Sequence, residues 1–185
     1  MRPAQPRRAP EVSVVYEPTM TSLPKVFSQL SSPATILQLW SVLKAVPGGG
    51  MMMGRLIGRM APYTGTIRPE IDTLEVGYSK VHMRDRKKVR NHLRSVHAIA
   101  LMNLGEVTTG TAMMVSLPEG ARAIPVHLAM DYVKKARGTI TGECSCAVPS
   151  STERKEYEVT ALLKDKSGDV VAKCYAKWLV GPGKL

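Results

Sequence analysis

A chain of 185 residues with 44% hydrophobic and 22% charged side chains is long enough to build one domain around a sizeable core, and too apolar for a disordered or collagen-like chain. Its 26 basic and 15 acidic side chains leave a formal charge of +11, which favours anionic company: nucleic acid, acidic lipid or a phosphate-bearing small molecule. No apolar run approaches the ~20 residues of a membrane-spanning helix. Three cysteines cannot make a fully paired disulfide framework, so the expected setting is reducing, the mitochondrial matrix or the cytoplasm rather than the cell exterior.

Residues 1–22 read as an irregular lead-in, because Pro3, Pro6, Pro10 and Pro18 discourage regular structure. Arg2, Arg7 and Arg8 precede the first acid, Glu11, a weak likeness to a mitochondrial presequence set against a plain tail. Residues 23–61 form a helical extension. Within it Val26, Leu30, Ile36, Leu37, Trp40 and Leu43 share one broad face, and Pro33 divides the stretch in two. Pro47 and Gly48 to Gly50 stop it, and Met51 to Met60 supply another short helix. The run Met51-Met52-Met53 packs against the core or against an acyl chain.

Residues 62–185 read as a separate α+β domain. Tyr63 to Met83 suggests two strand segments, broken near Pro69 and Gly77. One long helix follows over Ser95 to Met114, with Ser95 as its N-cap. Four strands come next: Ala123–Val133, Gly138–Val148, Glu156–Lys164 and Val170–Val180, the last two joined by a turn at Asp165, Ser167 and Gly168. Antiparallel strands around a single helix argue against a doubly wound sheet.

The long helix is apolar or small almost throughout, and Glu106 is its one charged residue between Ala98 and Met114. A carboxylate withdrawn from water costs several kcal/mol unless paired, hydrogen-bonded or protonated. Glu106 is therefore either a general base or nucleophile, or an acid satisfied by a neighbouring Thr hydroxyl or backbone amide. His97 lies nine residues earlier. At ~100° and ~1.5 Å per residue the two stand on opposite faces and ~13 Å apart, so they cooperate only if a second copy of the helix lies alongside. Two basic clusters flank the helix: Arg84, Arg86, Lys87, Lys88, Arg90 and Arg94 before it, Lys134, Lys135 and Arg137 after it. They are solvated loops or phosphate-binding surfaces. Cys144-x-Cys146 lacks a convincing set of metal-ligand partners and reads as core thiols.

The run from Asn91 to Ala98, followed by Asn103-Leu104-Gly105-Glu106, resembles the hotdog-fold acyl-CoA thioesterase superfamily, closest to its phenylacetic-acid-pathway branch and the DUF4442 domains. The likeness covers about Pro62 to Val180, including Met130-Asp131-Tyr132, and leaves the N-terminal helices outside. Asn91, His97 and Glu106 occupy the branch's Asn, His and acidic positions. The His-Gly-Gly of the branch is here His97-Ala98-Ile99, and the acid is Glu where Asp is commoner. The resemblance implies a six-stranded antiparallel sheet wrapped around the helix, and a homodimer, or a tetramer of such dimers, with pockets at the shared interface. It implies Glu106 as base or nucleophile, backbone amides of Ala98 and Ile99 for the oxyanion, and Asn91 and His97 for orienting the thioester. Asn103 and Thr109 would hold water. Arg84, Arg86, Lys87, Lys88, Arg90, Arg94, Lys134 and Lys135 would receive the phosphates of CoA, which enters as substrate; neither cofactor nor metal is needed. The alternative is a non-catalytic dimeric binding or scaffold subunit in an RNA-containing assembly, and an acyl-thioester dehydratase ranks third.

Overall fold

The computed structural model describes residues 32–183. The lead-in of residues 1–22 and the helical reading of residues 25–31 lie outside the described residues. Helix α1, Pro33–Leu43, starts where proline suits the first turn, and its Ser32 cap accepts a hydrogen bond from the Thr35 amide at 3.2 Å. Helix α2, Gly49–Met60, begins on the glycines that were expected only to stop its predecessor. Gly48, at φ +79°, turns the chain so sharply that the new helix starts at once.

Gly50, Gly54 and Gly58 recur every fourth residue and form one face of α2. That face lies directly on the backbone of residues 65–71. A Cβ on Gly54 would stand 1.7 Å from the Pro69 carbonyl oxygen, and one on Gly50 2.1 Å from that of Ile71. Tyr63, expected to open the strands, instead sits in a single helical turn, α3, Pro62–Gly65. Thr66 Oγ1 donates to the Tyr63 carbonyl and the Arg86 guanidinium to those of Thr66 and Ile67, so the backbone polar groups there are satisfied without a strand partner.

The strands are β1 Glu70–Glu75, β2 Tyr78–Met83, β3 Ala121–Tyr132, β4 Ile140–Ser145, β5 Lys155–Lys164 and β6 Val170–Pro182. They form one antiparallel sheet in the order β1-β2-β4-β5-β6-β3. Helix α4, Ala98–Met114, follows β2 and packs against all six strands, most lightly against β1. This is the hotdog arrangement, a sheet curled around one helix. Alternation sets the inner face: Ile140, Gly142 and Cys144 of β4 and Val159, Ala161 and Leu163 of β5 point inward.

The long helix starts later than its sequence suggests. Ser95 is buried and its hydroxyl donates to Asn91 Oδ1, so it has none left for a cap. His97 takes that position, and its Nδ1 accepts from the Ile99 amide at 3.1 Å. The glycines in α4 allow close approach to β6: a Cβ on Gly105 would meet Cys174 Cβ at 2.5 Å, and one on Gly110 the Trp178 ring at 3.0 Å. Cys144 and Cys174 are core thiols. Burial, as the largest cause, pushes them up to about 12 and about 11.

Candidate functional site

Glu106 stands on the α4 face turned toward the N-terminal helices, half-buried in the wall of an apolar cavity of about 300 Å³. Ile36 and Leu39 of α1, Met53, Leu56, Ile57 and Met60 of α2, and Trp178 of β6 close around it. The volume is at the lower end of small-molecule sites. Burial alone raises the Glu106 carboxyl above its ordinary range. Its side chain makes no hydrogen bond or ion pair among the described residues. The bland alternative, a carboxylate held by threonine, is not what the structure shows. Thr109 Oγ1 donates to the Glu106 main-chain carbonyl at 3.1 Å and accepts from Trp178 Nε1 at 3.3 Å.

The two residues expected to hold water each make hydrogen bonds within the fold. Thr109 is fully buried between Glu106 and Trp178, and Asn103 Nδ2 donates to the Tyr63 carbonyl at 3.0 Å, pinning α3 to α4. Of the methionine run only Met53 lines the apolar cavity; Met52 is exposed. The walls contributed by α1 and by Trp178 had no local signal, because they meet Glu106 only through the fold.

The other cluster lies at the start of α4. Because His97 Nδ1 accepts a hydrogen bond, the neutral ring keeps its proton on Nε2, and the ring itself is exposed. That bond occupies the Ile99 amide, one of the two expected oxyanion donors. The Ala98 amide has no partner among the described residues and remains a first-turn donor at the positive end of the helix. The Ile99 side chain is half exposed and flanks that amide. Asn91 Oδ1 accepts from the Leu93 and Ser95 amides and the Ser95 hydroxyl, which holds the turn entering α4 and leaves its NH₂ for other partners. Tyr132 Oη donates to the Ala98 carbonyl at 3.1 Å, and Asp131 accepts from Tyr175 Oη at 3.0 Å. Within one chain the structure does not bring His97 or Asn91 to Glu106.

The expected phosphate-binding residues divide into those with partners inside the chain and those without. Arg84 pairs with Glu70 at 2.8 Å, Arg90 with Asp85 at 2.6 Å and Lys134 with Asp165 at 2.9 Å, and Arg86 braces the carbonyls before β1. Lys87, Lys88, Arg94 and Lys135 are exposed and make no ion pair among the described residues.

No curated protein matches the chain. Among solved structures, a structural-genomics protein with 28% identity has a TM-score of 0.68 over 79% of this chain and 97% of its own. A protein of unknown function from Pseudomonas aeruginosa, called a probable thioesterase, is 21% identical with a TM-score of 0.64 over 74% and 97% of the two chains. A thioesterase family protein from Silicibacter pomeroyi is 19% identical with a TM-score of 0.61 over 70% and 96%. At those identities the last two likenesses establish the shared fold. The family described as a domain of unknown function, DUF4442, matches residues 49–180, taking in α2 where the sequence likeness was expected to begin at Pro62. The chain belongs to the DUF4442 family.

Proposed function

We propose that this protein hydrolyses acyl thioesters, with the acyl chain in the apolar cavity and Glu106 as the reacting carboxylate. The observation that carries this reading is an unpaired, half-buried carboxylate in the wall of an otherwise greasy pocket. A carboxylate with a raised pKa is a stronger base at neutral pH than an exposed one. Glu106 takes a proton from water as the water oxygen bonds to the thioester carbon. The carbonyl becomes an oxyanion, the carbon–sulfur bond then breaks, and the departing thiolate receives the proton from Glu106. The same carboxylate attacking directly would give an anhydride that water opens. Thioesterase-named proteins of the same fold agree with this chemistry.

The oxyanion donor must come from elsewhere, since the Ala98 amide lies at the N-terminus of α4, ~12 Å along the axis from Glu106 at its middle. A second copy supplies it in this proposal. Strand β3 is the sheet edge opposite β1, it is 12 residues long, and its Ile124 and Val126 are exposed. A long apolar edge is a template for pairing with another chain. Ala123 and Pro125 of that same strand line the Glu106 cavity, so a copy docked along β3 would bring its own helix N-terminus toward the pocket. Its His97 and Asn91 NH₂ would then orient the thioester.

The test is hydrolysis of an acyl-CoA panel by wild type and Glu106→Gln, which keeps the shape and removes the base. A loss of about 10²- to 10⁴-fold in kcat is expected on at least one substrate. Equal rates in both proteins would remove Glu106 from the mechanism.

A further inference from the structure

Helix α2 has a second cavity on its other side, of about 690 Å³, well within the range of small-molecule sites. Five arginines line it: Arg55 and Arg59 from α2, Arg68 from the turn before β1, and Arg84 and Arg86 from beyond β2. One acid, Glu70, shares the lining, and Arg84 holds it with two bonds, Nε to Oε1 at 2.8 Å and Nη2 to Oε2 at 3.0 Å. Arg55, Arg59 and Arg68 make no ion pair among the described residues. Gly54, Gly58 and Gly65 form part of the wall, so the guanidinium groups stand over nearly bare backbone.

The arrangement is held in place at some cost. Arg68 has φ +52°, a left-handed conformation that a non-glycine residue enters against a steric penalty. Arg86 is fixed by its bonds to the carbonyls of Thr66 and Ile67 at 3.1 and 2.9 Å. Its pKa is lowered by burial and then by the nearby charge of Arg68, so two like charges sit together with no acid between them. Solvated surface arginines would spread apart. Here the turn fixes the Arg68 backbone and the carbonyl bonds hold the Arg86 guanidinium beside it.

We propose that this cavity binds a small ligand bearing two or more phosphate groups, of the size of a nucleotide bisphosphate. Planar guanidinium forks match phosphate oxygens two at a time. The surplus of four positive charges over the Glu70–Arg84 pair suits a polyanion better than a carboxylate. The nucleotide end of a CoA thioester and a free nucleotide share this chemistry. The site needs no hydrolytic activity from Glu106.

The test is calorimetric titration of the full chain with inorganic pyrophosphate, 3′,5′-ADP and CoA. The variant Arg55→Ala/Arg59→Ala removes two exposed side chains of α2, and Lys166→Ala/Lys173→Ala removes the same charge elsewhere. Affinity for 3′,5′-ADP should fall about a hundredfold in the arginine variant, roughly tenfold for each guanidinium removed from the phosphates, and by less than about twofold in the lysine variant. If the double variant melts early, Arg59→Ala alone should show the tenfold step. Displacement of CoA by 3′,5′-ADP would assign the cavity to the nucleotide end of CoA. Binding of both together would assign it to a free nucleotide. Equal losses in the two double variants, or no binding of any of the three probes, would overturn the proposal. Glu106→Gln should bind all three as wild type does, so loss of hydrolysis and loss of this site are read separately.

Discussion

The two sides of α2 meet charge in opposite ways. On one, Met53, Leu56, Ile57 and Met60 surround a single acid with no ion-pair partner among the described residues. On the other, Arg55 and Arg59 join three more arginines around a single acid that is paired. Helical spacing makes the division: positions 53, 56, 57 and 60 share one stripe, and 51, 55, 58 and 59 the adjoining one. The consequence is chemical. A half-buried carboxylate without a partner has its proton affinity raised, which suits proton transfer. Guanidinium groups keep their charge at any ordinary pH, so their cavity is suited to holding an anion and not to reacting with it.

Both cavities depend on the glycine face of α2, and Gly54→Ala should break both together. Alanine favours a helix by about 1 kcal/mol over glycine, but the added Cβ would lie 1.7 Å from the Pro69 carbonyl oxygen, and backbone cannot swing aside as a side-chain tip can. Overpacking of this kind costs about 1–3 kcal/mol. A clash with backbone belongs at the upper end of that range, so a net loss of about 2 kcal/mol is expected, about 4–8 °C in Tm for a chain of this size. Thermal melts of Gly54→Ala and of Met52→Ala, an exposed neighbour on the same helix, would check it. Equal stability in the two would show that α2 can lift off β1 without penalty.

The sequence made one of these regions far more legible than the other. Glu106 is conspicuous because the rest of α4 is apolar or small, and the strands of the inner face announce themselves by alternation, as in Ile140, Gly142 and Cys144. Nothing local ties Arg55 and Arg59 of α2 to Arg68, which they meet only when α2 stacks on residues 65–71. The need for Gly54 and Gly58 is likewise silent in the sequence, because it comes from the backbone of residues 65–71. The basic run from Arg84 to Arg94 reads as a solvated loop or a phosphate-binding surface. Three of its side chains, Arg84, Arg90 and Arg86, go to Glu70, Asp85 and main-chain carbonyls, partners that a count of charges along the chain cannot reveal. The cap of α4 failed for a similar reason. Ser95 and His97 can both cap, and the choice falls to His97 once Asn91 has taken the Ser95 hydroxyl.

The lone acid also predicts a pH signature. Glu106 has a native pKa above its ordinary 4.5, by burial. The native state therefore binds more protons than the unfolded chain between the two values, and stability falls as pH rises through that window. Below it, both states are protonated and the contribution is intact; above it, the loss is complete. Glu106→Gln removes the ionisation, so its Tm should gain on that of wild type between pH 4 and pH 7.5. Wild-type hydrolysis should rise with pH over the same window, to a plateau once the base is ionised. A Tm difference constant across that range would show that the carboxylate is solvated in the native protein.

The smallest effect sharpens the contrast from the other side of α2. His82, on β2, has Nδ1 2.8 Å from Asp72 and Nε2 3.6 Å from the same Glu70 that holds Arg84. The hydrogen bond to Asp72 is the largest cause that raises the His82 pKa above 6.5, and burial opposes it. A raised histidine contributes fully below its unfolded value and loses that contribution as pH climbs through its native one. Because the pair is partly exposed, Asp72→Asn should cost only about 0.5 kcal/mol at pH 5.5 and nothing measurable at pH 9. Urea denaturation at the two pH values separates this from the Glu106 effect, which has run its course once that carboxyl has ionised. A cost that persisted undiminished at pH 9 would mean that Asp72 supports β1 by some route other than the charge of His82.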